Sequence, residues 1–427
     1  MNIVILGAGT SGTLFAQELR KIDKSSKIIL IEESKEFNYS PCSLPYYLSN
    51  EISYECLFNE ADLKFSNIEL INPAKAVKID SHSKKAVYEK DGETHSINYD
   101  KLILALGAKH FIPKIEGLKN PLTFSSINDA KMLKEKIKGK KAKIAIIGAG
   151  YIGCELSDSL SKSGHQVFLI DRAENILNYS ISPQFSIILK EELEKNGARV
   201  IMNAQIKSAH SNEIMLSHEK ISCDLIVVCA GTAPNIDLAK QAGIKTNKGI
   251  IVDDYLQTSE KDIYAIGDCA EFQDFFNEPR VCGLASTAHK MAKALANNMQ
   301  SSEEAFASVN SGISKIGNLV FGSAGKKRGE KDFSAAYKSS ILKECISKDW
   351  IMVKIIANSE SEIIGCEAIS TANISSSINL LSLAIKKRLK LKDLIGMNNC
   401  YNPMLSRLFD PISVACHACL KKMQKKL

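Results

Sequence analysis

Two glycine patterns in this chain could hold nucleotides, and one cysteine stands where it could exchange electrons. Gly7-Ala8-Gly9-Thr10-Ser11-Gly12 and Gly148-Ala149-Gly150-Tyr151-Ile152-Gly153 both have the spacing Gly-x-Gly-x-x-Gly. In such a loop the first glycine makes a tight turn, the second lets backbone approach a pyrophosphate, and the third lets helix and strand pack closely. Helix amides then face the phosphates. An acid follows each pattern: Glu32 comes 20 residues after Gly12 and Asp171 comes 18 after Gly153. Either carboxylate can accept hydrogen bonds from a ribose diol. Asp171 repels a 2′-phosphate and favours NADH, whereas the adjacent Arg172 would welcome that phosphate, so both nicotinamide cofactors stay open. The cysteine is Cys42, in Asn38-Tyr39-Ser40-Pro41-Cys42-Ser43-Leu44-Pro45-Tyr46-Tyr47. A thiolate is the reactive form, and its pKa falls near a helix N-terminus or a positive group.

Other reactive residue types read as structural. Cys154, Cys223, Cys229 and Cys282 lie in or beside apolar runs and fit small core hydrophobes. His289 sits on a helical stretch as a packing or contact residue. Cys416-His417-Ala418-Cys419 is one CxxC with no matching second pair, so zinc, a thiol pair and no function all remain open. The lysine-rich runs 138–143 and 386–392 lack interleaved aromatics, which argues against nucleic acid.

The elements that must position these groups follow from apolar periodicity. Residues 2–6 form a buried strand, the first glycine turn comes next, 13–22 carry helical spacing, and 27–32 form a second strand ending in an acid. Residues 143–147, the second glycine turn, 154–163 and 166–171 repeat that order. Each glycine pattern therefore follows a strand and opens a helix, the context a nucleotide fingerprint requires. Short strands are predicted at 75–80 and 84–89, and apolar strands at 99–106 and 224–229. Residues 262–268 read as a strand returning to the first domain, which makes the second unit an insertion in the first. Beyond 299 the texture changes to short strands at 350–356 and 362–369 and an amphipathic helix at 375–387. The lysine-rich ending at 420–427 reads as a solvated helix terminus.

The 427 residues fit two or three domains, and the composition, 45% hydrophobic and 24% charged, is that of a soluble globular protein. A net charge of +7 helps attract anions such as nucleotides. No stretch has the length of a membrane span, and no secretory signal is read. Twelve cysteines without a compact disulfide framework point to a reducing, cytoplasmic setting.

Together these segments resemble the single-cysteine branch of the FAD-dependent pyridine nucleotide-disulfide oxidoreductases, which includes NADH oxidases, NADH peroxidases and coenzyme A-disulfide reductases. Cys42-Ser43-Leu44-Pro45-Tyr46 resembles the redox-cysteine motif. Leu104-Ala105-Leu106-Gly107-Ala108 with Pro113 resembles the connecting segment, and Ala230-Gly231-Thr232-Ala233-Pro234-Asn235 with Ile263-Tyr264-Ala265-Ile266-Gly267-Asp268 resembles the closing flavin motif. Tyr401-Asn402-Pro403 with Asp410-Pro411 resembles a C-terminal dimerisation signature. The resemblance implies an α/β fold of two Rossmann-like nucleotide-binding domains, the second inserted in the first, plus an α+β C-terminal dimerisation domain. The expected boundaries are 1–110 and 254–298 for the FAD domain, 111–253 for the NAD(P)H domain and 299–427 for the interface domain.

By the same resemblance, Gly7, Gly9, Gly12, Glu32, Ala105, Gly107, Gly231, Gly267 and Asp268 belong to the flavin site and its connecting segments. Gly148, Gly150, Gly153 and Asp171 belong to the NADH or NADPH site. Glu155 is an acid near flavin and nicotinamide, Cys42 is the non-flavin redox centre, and Tyr401 is a group that a partner subunit brings to the site. Arg20 falls where coenzyme A-disulfide reductases carry a basic cluster for phosphates. Cys416 or Cys419 is expected as a resolving thiol or substrate contact for Cys42 across a homodimer. Ser43 replaces the usual glycine, no histidine follows Gly9, and no second cysteine lies four or five residues from Cys42. A histidine-assisted peroxidase and a dithiol confined to that helix are thereby disfavoured. The expected activity moves hydride from NAD(P)H to FAD and on, via Cys42, to a small disulfide or to oxygen. Reduction of a small electron-transfer protein such as rubredoxin, and a non-catalytic flavin-binding role, are the alternatives.

Overall fold

The structure is a computed structural model, and it describes residues 1–59, 67–300, 305–327, 329 and 331–425. The chain forms two compact units. One comprises Met1–Phe111, Ser125–Ala130 and Gly231–Ser308, and the other Ile112–Phe124, Lys131–Ala230 and Val309–Leu427.

The first unit is built on a five-stranded sheet in the order Ile263–Ala265, Lys101–Leu104, Asn2–Leu6, Lys27–Ile31, Glu69–Ile71. All neighbours pair in parallel, with Asn2 opposite Lys27 and Leu6 opposite Ile31. Both central strands expose only their first residue and bury the next four. That is why they read as continuous apolar runs rather than alternating ones: a parallel sheet is covered on both faces. Helix Thr10–Ile22 follows the first glycine turn and packs along helix Ala285–Asn298. The strand order reverses beside Asn2–Leu6, and ligands of such sheets bind beyond the carboxyl ends of the strands at that point. A separate antiparallel sheet of Lys75–Asp80, Lys85–Lys90 and Glu93–Asn98 adds one strand to the two expected.

The second unit repeats the parallel plan in the order Ala198–Ile201, Gln166–Ile170, Lys143–Ile147, Leu225–Val228, Leu122–Thr123. Helix Tyr151–Lys162 opens directly from the second glycine turn. The same unit holds a five-stranded antiparallel sheet ordered Gly312–Ile316, Leu319–Gly325, Ile363–Ser370, Trp350–Ala357, Phe333–Ser340. Helices Ser375–Lys386 and Pro411–Gln424 pack against it, and strand Ile363–Ser370 is buried at all eight positions. Asp410 caps the second of these helices by accepting the Ile412 and Ser413 amides at 2.9 and 3.1 Å. The lysine-rich ending continues this helix as expected, and its last two residues lie outside the described ones.

The fold class is as the sequence implies, with two Rossmann-like domains and an α+β C-terminal domain. The segment boundaries differ. Residues 231–253, assigned by sequence to the inserted domain, pack with the first unit. Thr232–Pro234 pairs antiparallel with Ala108–His110, and Ala239, Ile244, Ile250 and Val252 join the first unit's core. The chain re-enters the second unit at Val309 rather than at 299.

Candidate active site

The two glycine turns have the same division of labour. Gly7 has φ +106°, and a Cβ there would collide with the Ala105 carbonyl; a Cβ on Gly12 would collide with the Gly7 carbonyl. Gly148 and Gly153 repeat both collisions, against the carbonyls of Cys229 and Gly148. These positions are glycine because backbone packs on backbone. At Gly9 and Gly150 a Cβ would meet nothing within 4 Å, and both residues are exposed. The middle glycine thus leaves bare backbone at a helix N-terminus, the cradle a pyrophosphate requires. The chain fits both dinucleotides at these positions.

The acids are held in matching ways. Glu32 accepts the Ala8 amide at 2.7 Å through one oxygen and the Ser34 amide at 2.8 Å through the other. Asp171 accepts the Ala149 amide at 2.6 Å and the Ala173 amide at 2.8 Å. Each carboxylate therefore braces its own glycine loop and keeps lone pairs for a ribose hydroxyl.

Five further residues line the connections of the first unit. Ala105 is buried beside Gly7 and Gly12, so its methyl packs the turn rather than reaching outward. Gly107 accepts the Asn235 amide at 3.0 Å, and the Asn235 side chain donates to the Leu106 carbonyl at 2.8 Å, joining the two connecting motifs. Gly231 receives the Phe111 amide at 3.0 Å. Gly267, at φ +72°, lies against Ser11, so Asp268 emerges directly beside the first glycine turn. Burial raises the Asp268 carboxyl above its ordinary value, and one of its oxygens accepts the Gly283 amide at 3.1 Å.

Cys42 is exposed in a single 3-10 turn, Pro41–Ser43, from which helix Leu44–Leu48 continues. The buried side chains Leu44, Pro45 and Leu48 anchor that helix. The turn is tied to the nucleotide loop: the Asn38 amide donates to the Ala8 carbonyl at 3.2 Å, and the Ala8 amide donates to Glu32. Asn38 is buried with φ +54°, a conformation asparagine tolerates better than most residues. The sequence signal for Cys42 was its setting after the first nucleotide unit. Asn38, the residue that fixes it there, carried no recognisable signal.

In the second unit Glu155 lies one turn into helix Tyr151–Lys162. Burial pushes its carboxyl up to about 7, opposed by a hydrogen bond donated by Ser314. Ser314 belongs to strand Gly312–Ile316 of the antiparallel sheet. Tyr151, on the same helix, stacks on Phe321 with ring centres 5.9 Å apart. Sequence reasoning found Glu155 and missed Ser314, since the two are 159 residues apart.

Tyr401 is not gathered to a site. It is 54% exposed, in a stretch where Met404, Leu405, Leu408 and Phe409 are 63–77% exposed. Two expectations need correction. Arg20 is buried, with its guanidinium donating to the carbonyls of Asp23, Ser26 and Asn67 at 2.8, 2.6 and 3.4 Å. It ties a helix end to two loops and offers no charge to a phosphate. Cys416 and Cys419 are fully buried in the helix that packs on the antiparallel sheet, and burial pushes the Cys416 thiol up to about 12. A thiol in that setting is inert, so neither serves as a resolving thiol. Cys154, Cys223 and Cys229 are buried as expected, and His289 is exposed on the surface of its helix.

Two dinucleotide cradles, each braced by a carboxylate, and a cysteine turn bonded to the first of them define a two-nucleotide flavoprotein oxidoreductase. Residues 1–292 match the family model described as pyridine nucleotide-disulphide oxidoreductase, and the chain belongs to that family. It is 31% identical to an NADH oxidase of Methanocaldococcus jannaschii over 448 aligned residues, covering 100% of both chains. It is 30% identical to a rubredoxin-NAD(+) reductase of Acinetobacter baylyi over 308 residues, covering 69% of this chain and 78% of the other. Among solved structures, a NAD-dependent persulfide reductase from A. fulgidus matches with TM-score 0.94 at 24% identity, covering 100% of this chain and 84% of that one. The protein is an FAD-dependent NAD(P)H oxidoreductase.

Proposed function

We propose that this enzyme uses NADH, carries the electrons through FAD to Cys42, and reduces a small disulfide or oxygen. FAD, when bound, supplies the hydride acceptor and the two-electron relay. Gly9 and Gly150 admit the pyrophosphates, and Glu32 and Asp171 accept the ribose hydroxyls. Asp171 disfavours a 2′-phosphate, which selects NADH. Glu155 holds a carboxyl near neutrality beside the nicotinamide site, where the ionised form would balance the positive charge left when hydride departs. The Cys42 thiolate attacks one sulfur of a disulfide and expels the other as a thiolate.

The observation that carries this reading is the bond from Asn38 to Ala8, which fastens the segment leading into the Cys42 turn to the first glycine loop. The test is an anaerobic titration of the holoenzyme with NADH. Four electron equivalents per flavin in the wild type and two in Cys42→Ser would support a second redox centre at Cys42; equal uptake would refute it. A second reading, transfer to a small electron-transfer protein, is favoured by the rubredoxin reductase relative. That reading predicts turnover that survives Cys42→Ser.

The working form in this proposal is a homodimer, in which the exposed Tyr401, Met404, Leu405, Leu408 and Phe409 meet a second copy. Tyr401 then donates a proton to the leaving thiolate in the partner's site. Among the described residues, no helix is long and apolar enough to cross a membrane. A cytoplasmic location belongs to the same proposal.

A further inference from the structure

We propose that Cys56 is a second redox thiol, which resolves oxidised Cys42 by closing an intramolecular Cys42–Cys56 disulfide. The proposal rests on Cys42 being the redox centre. It comes from the way the segment after the second strand folds back on itself. Tyr39 and Phe58 form an antiparallel bridge. The Asn59 amide donates to the Asn38 carbonyl at 3.0 Å, the Asn38 side chain donates to the Asn59 carbonyl at 3.2 Å, and the Ser40 amide donates to the Leu57 carbonyl at 2.8 Å.

The bonded pairing ends at Ser40 and Leu57, which leaves Cys56 one residue and Cys42 two residues beyond it on their own chains. Both thiols therefore stand beside the same end of one chain pairing, although 14 positions separate them in sequence. Each sits in a single 3-10 turn, Pro41–Ser43 and Glu55–Leu57, just where the pairing ends. Edge-on ring contacts close the rest of the excursion, at 5.8 Å between Tyr47 and Tyr54 and 5.2 Å between Tyr54 and Phe58.

Exposure singles out the same residue. The first unit contains the thiols Cys42, Cys56, Cys269 and Cys282. Cys269 is buried and pushed up to about 12, and burial raises Cys282 still further. Cys42 and Cys56 are both exposed. The Cys56 sulfur lies 3.6 Å from the Ser53 hydroxyl, a light tether in a turn where only Leu57 is buried. A disulfide needs Cα atoms about 4.4–6.8 Å apart. Facing residues of an antiparallel pair lie about 4.5–5.5 Å apart, and each thiol is within two residues of such a pair, so closing the disulfide requires the two exposed turns to rearrange.

The chemistry balances as follows. For a substrate RS–SR, the Cys42 thiolate forms a Cys42–SR bond, breaks the substrate S–S bond and releases the first RS⁻. The Cys56 thiolate then attacks the Cys42 sulfur, forms the Cys42–Cys56 bond and releases the second RS⁻. The two thiol protons end on the two RSH products. The substrate gains the two electrons that the dithiol loses, and NADH restores the dithiol through the bound flavin. This step clears the substrate half from the site without waiting for electrons.

The test uses full-length holoenzyme with Cys345 and Cys400, the other exposed thiols, both replaced by serine. The protein is reduced with dithiothreitol, desalted anaerobically and mixed with one equivalent of 5,5′-dithiobis(2-nitrobenzoate). Release of two thionitrobenzoate ions, no retained adduct and a Cys42–Cys56 cross-linked peptide by mass spectrometry is the expected result. Cys56→Ser, and Cys56→Ala as an independent variant, should release one ion and keep the adduct on Cys42. Two ions released without Cys56, or a stable Cys42 adduct with Cys56 present, would overturn the proposal. If Cys42→Ser reacts at the parent rate and Cys42 carries no adduct in any variant, the assignment of Cys42 fails, and this proposal fails with it.

Discussion

Replacing Ser314 with alanine should move the pH dependence of flavin reduction upward. The Ser314 hydroxyl donates to Glu155, whose carboxyl burial has raised to about 7. A hydrogen bond to a charged group contributes about 1.5–3 kcal/mol, and one pKa unit corresponds to about 1.36 kcal/mol. Loss of the donor should therefore raise the Glu155 pKa by about 1–2 units. At pH 7 the ionised fraction falls from about a half to between about a tenth and a hundredth, an expected slowing of about 5- to 50-fold if the carboxylate assists hydride departure. Stopped-flow reduction of the oxidised holoenzyme by NADH, followed by flavin absorbance across the neutral range, reads the midpoint directly. Glu155→Gln should abolish the inflection. Stability provides a second readout. The folded pKa lies above the ordinary 4.5, so the folded state keeps a proton that the unfolded chain releases. The stability associated with that proton is full below about 4.5 and is lost as pH rises to about 7. In Ser314→Ala the loss should extend to higher pH. A midpoint that stays put or moves down, while Glu155→Gln removes it, would refute the reasoning.

Four further outcomes follow from the same geometry. Gly9→Val should leave the apo-protein's melting temperature nearly unchanged, because Gly9 is extended and open, while abolishing flavin absorbance; Gly12→Ala should destabilise the fold by at least about 1–3 kcal/mol through its collision with the Gly7 carbonyl, measured by thermal unfolding. Arg20→Met should lower stability by about 1–3 kcal/mol by orphaning buried carbonyls, with the same KM for coenzyme A disulfide as wild type. Leu405→Asp combined with Phe409→Asp, both at highly exposed apolar positions, should yield a monomer by light scattering that still binds FAD and has lost disulfide turnover.

The parts of this enzyme that were legible in its sequence are those whose physics is local. A glycine turn is specified within six residues, because Gly7 and Gly12 meet each other and Ala105 over a few ångströms of backbone. The bracing acid is legible because one helix and one strand fix its distance from the turn. Residues 231–253 were misassigned for the opposite reason. The apolar residues Ala239, Ile244 and Ile250 announce that they will be buried, but nothing in their spacing says in which of two cores. Arg20 misled because it falls where the resembled reductases carry a basic cluster for phosphates, whereas a guanidinium has enough donors to satisfy several carbonyls at once and is well suited to a buried joint.

The same distinction bears on the thiols. Searching near Cys42 for a partner assumes that a redox pair must share a helix, so a cysteine 14 positions away is passed over. The pairing of Tyr39 with Phe58 shows why that assumption fails here. A chain that folds back antiparallel brings residues far apart in sequence to the same end of one pairing. Cys416 and Cys419 make the converse point: three positions apart on one helix, they form the more recognisable motif, yet both are sealed in the core. For a thiol, exposure and the path of the neighbouring backbone decide reactivity, and those two quantities favour Cys56.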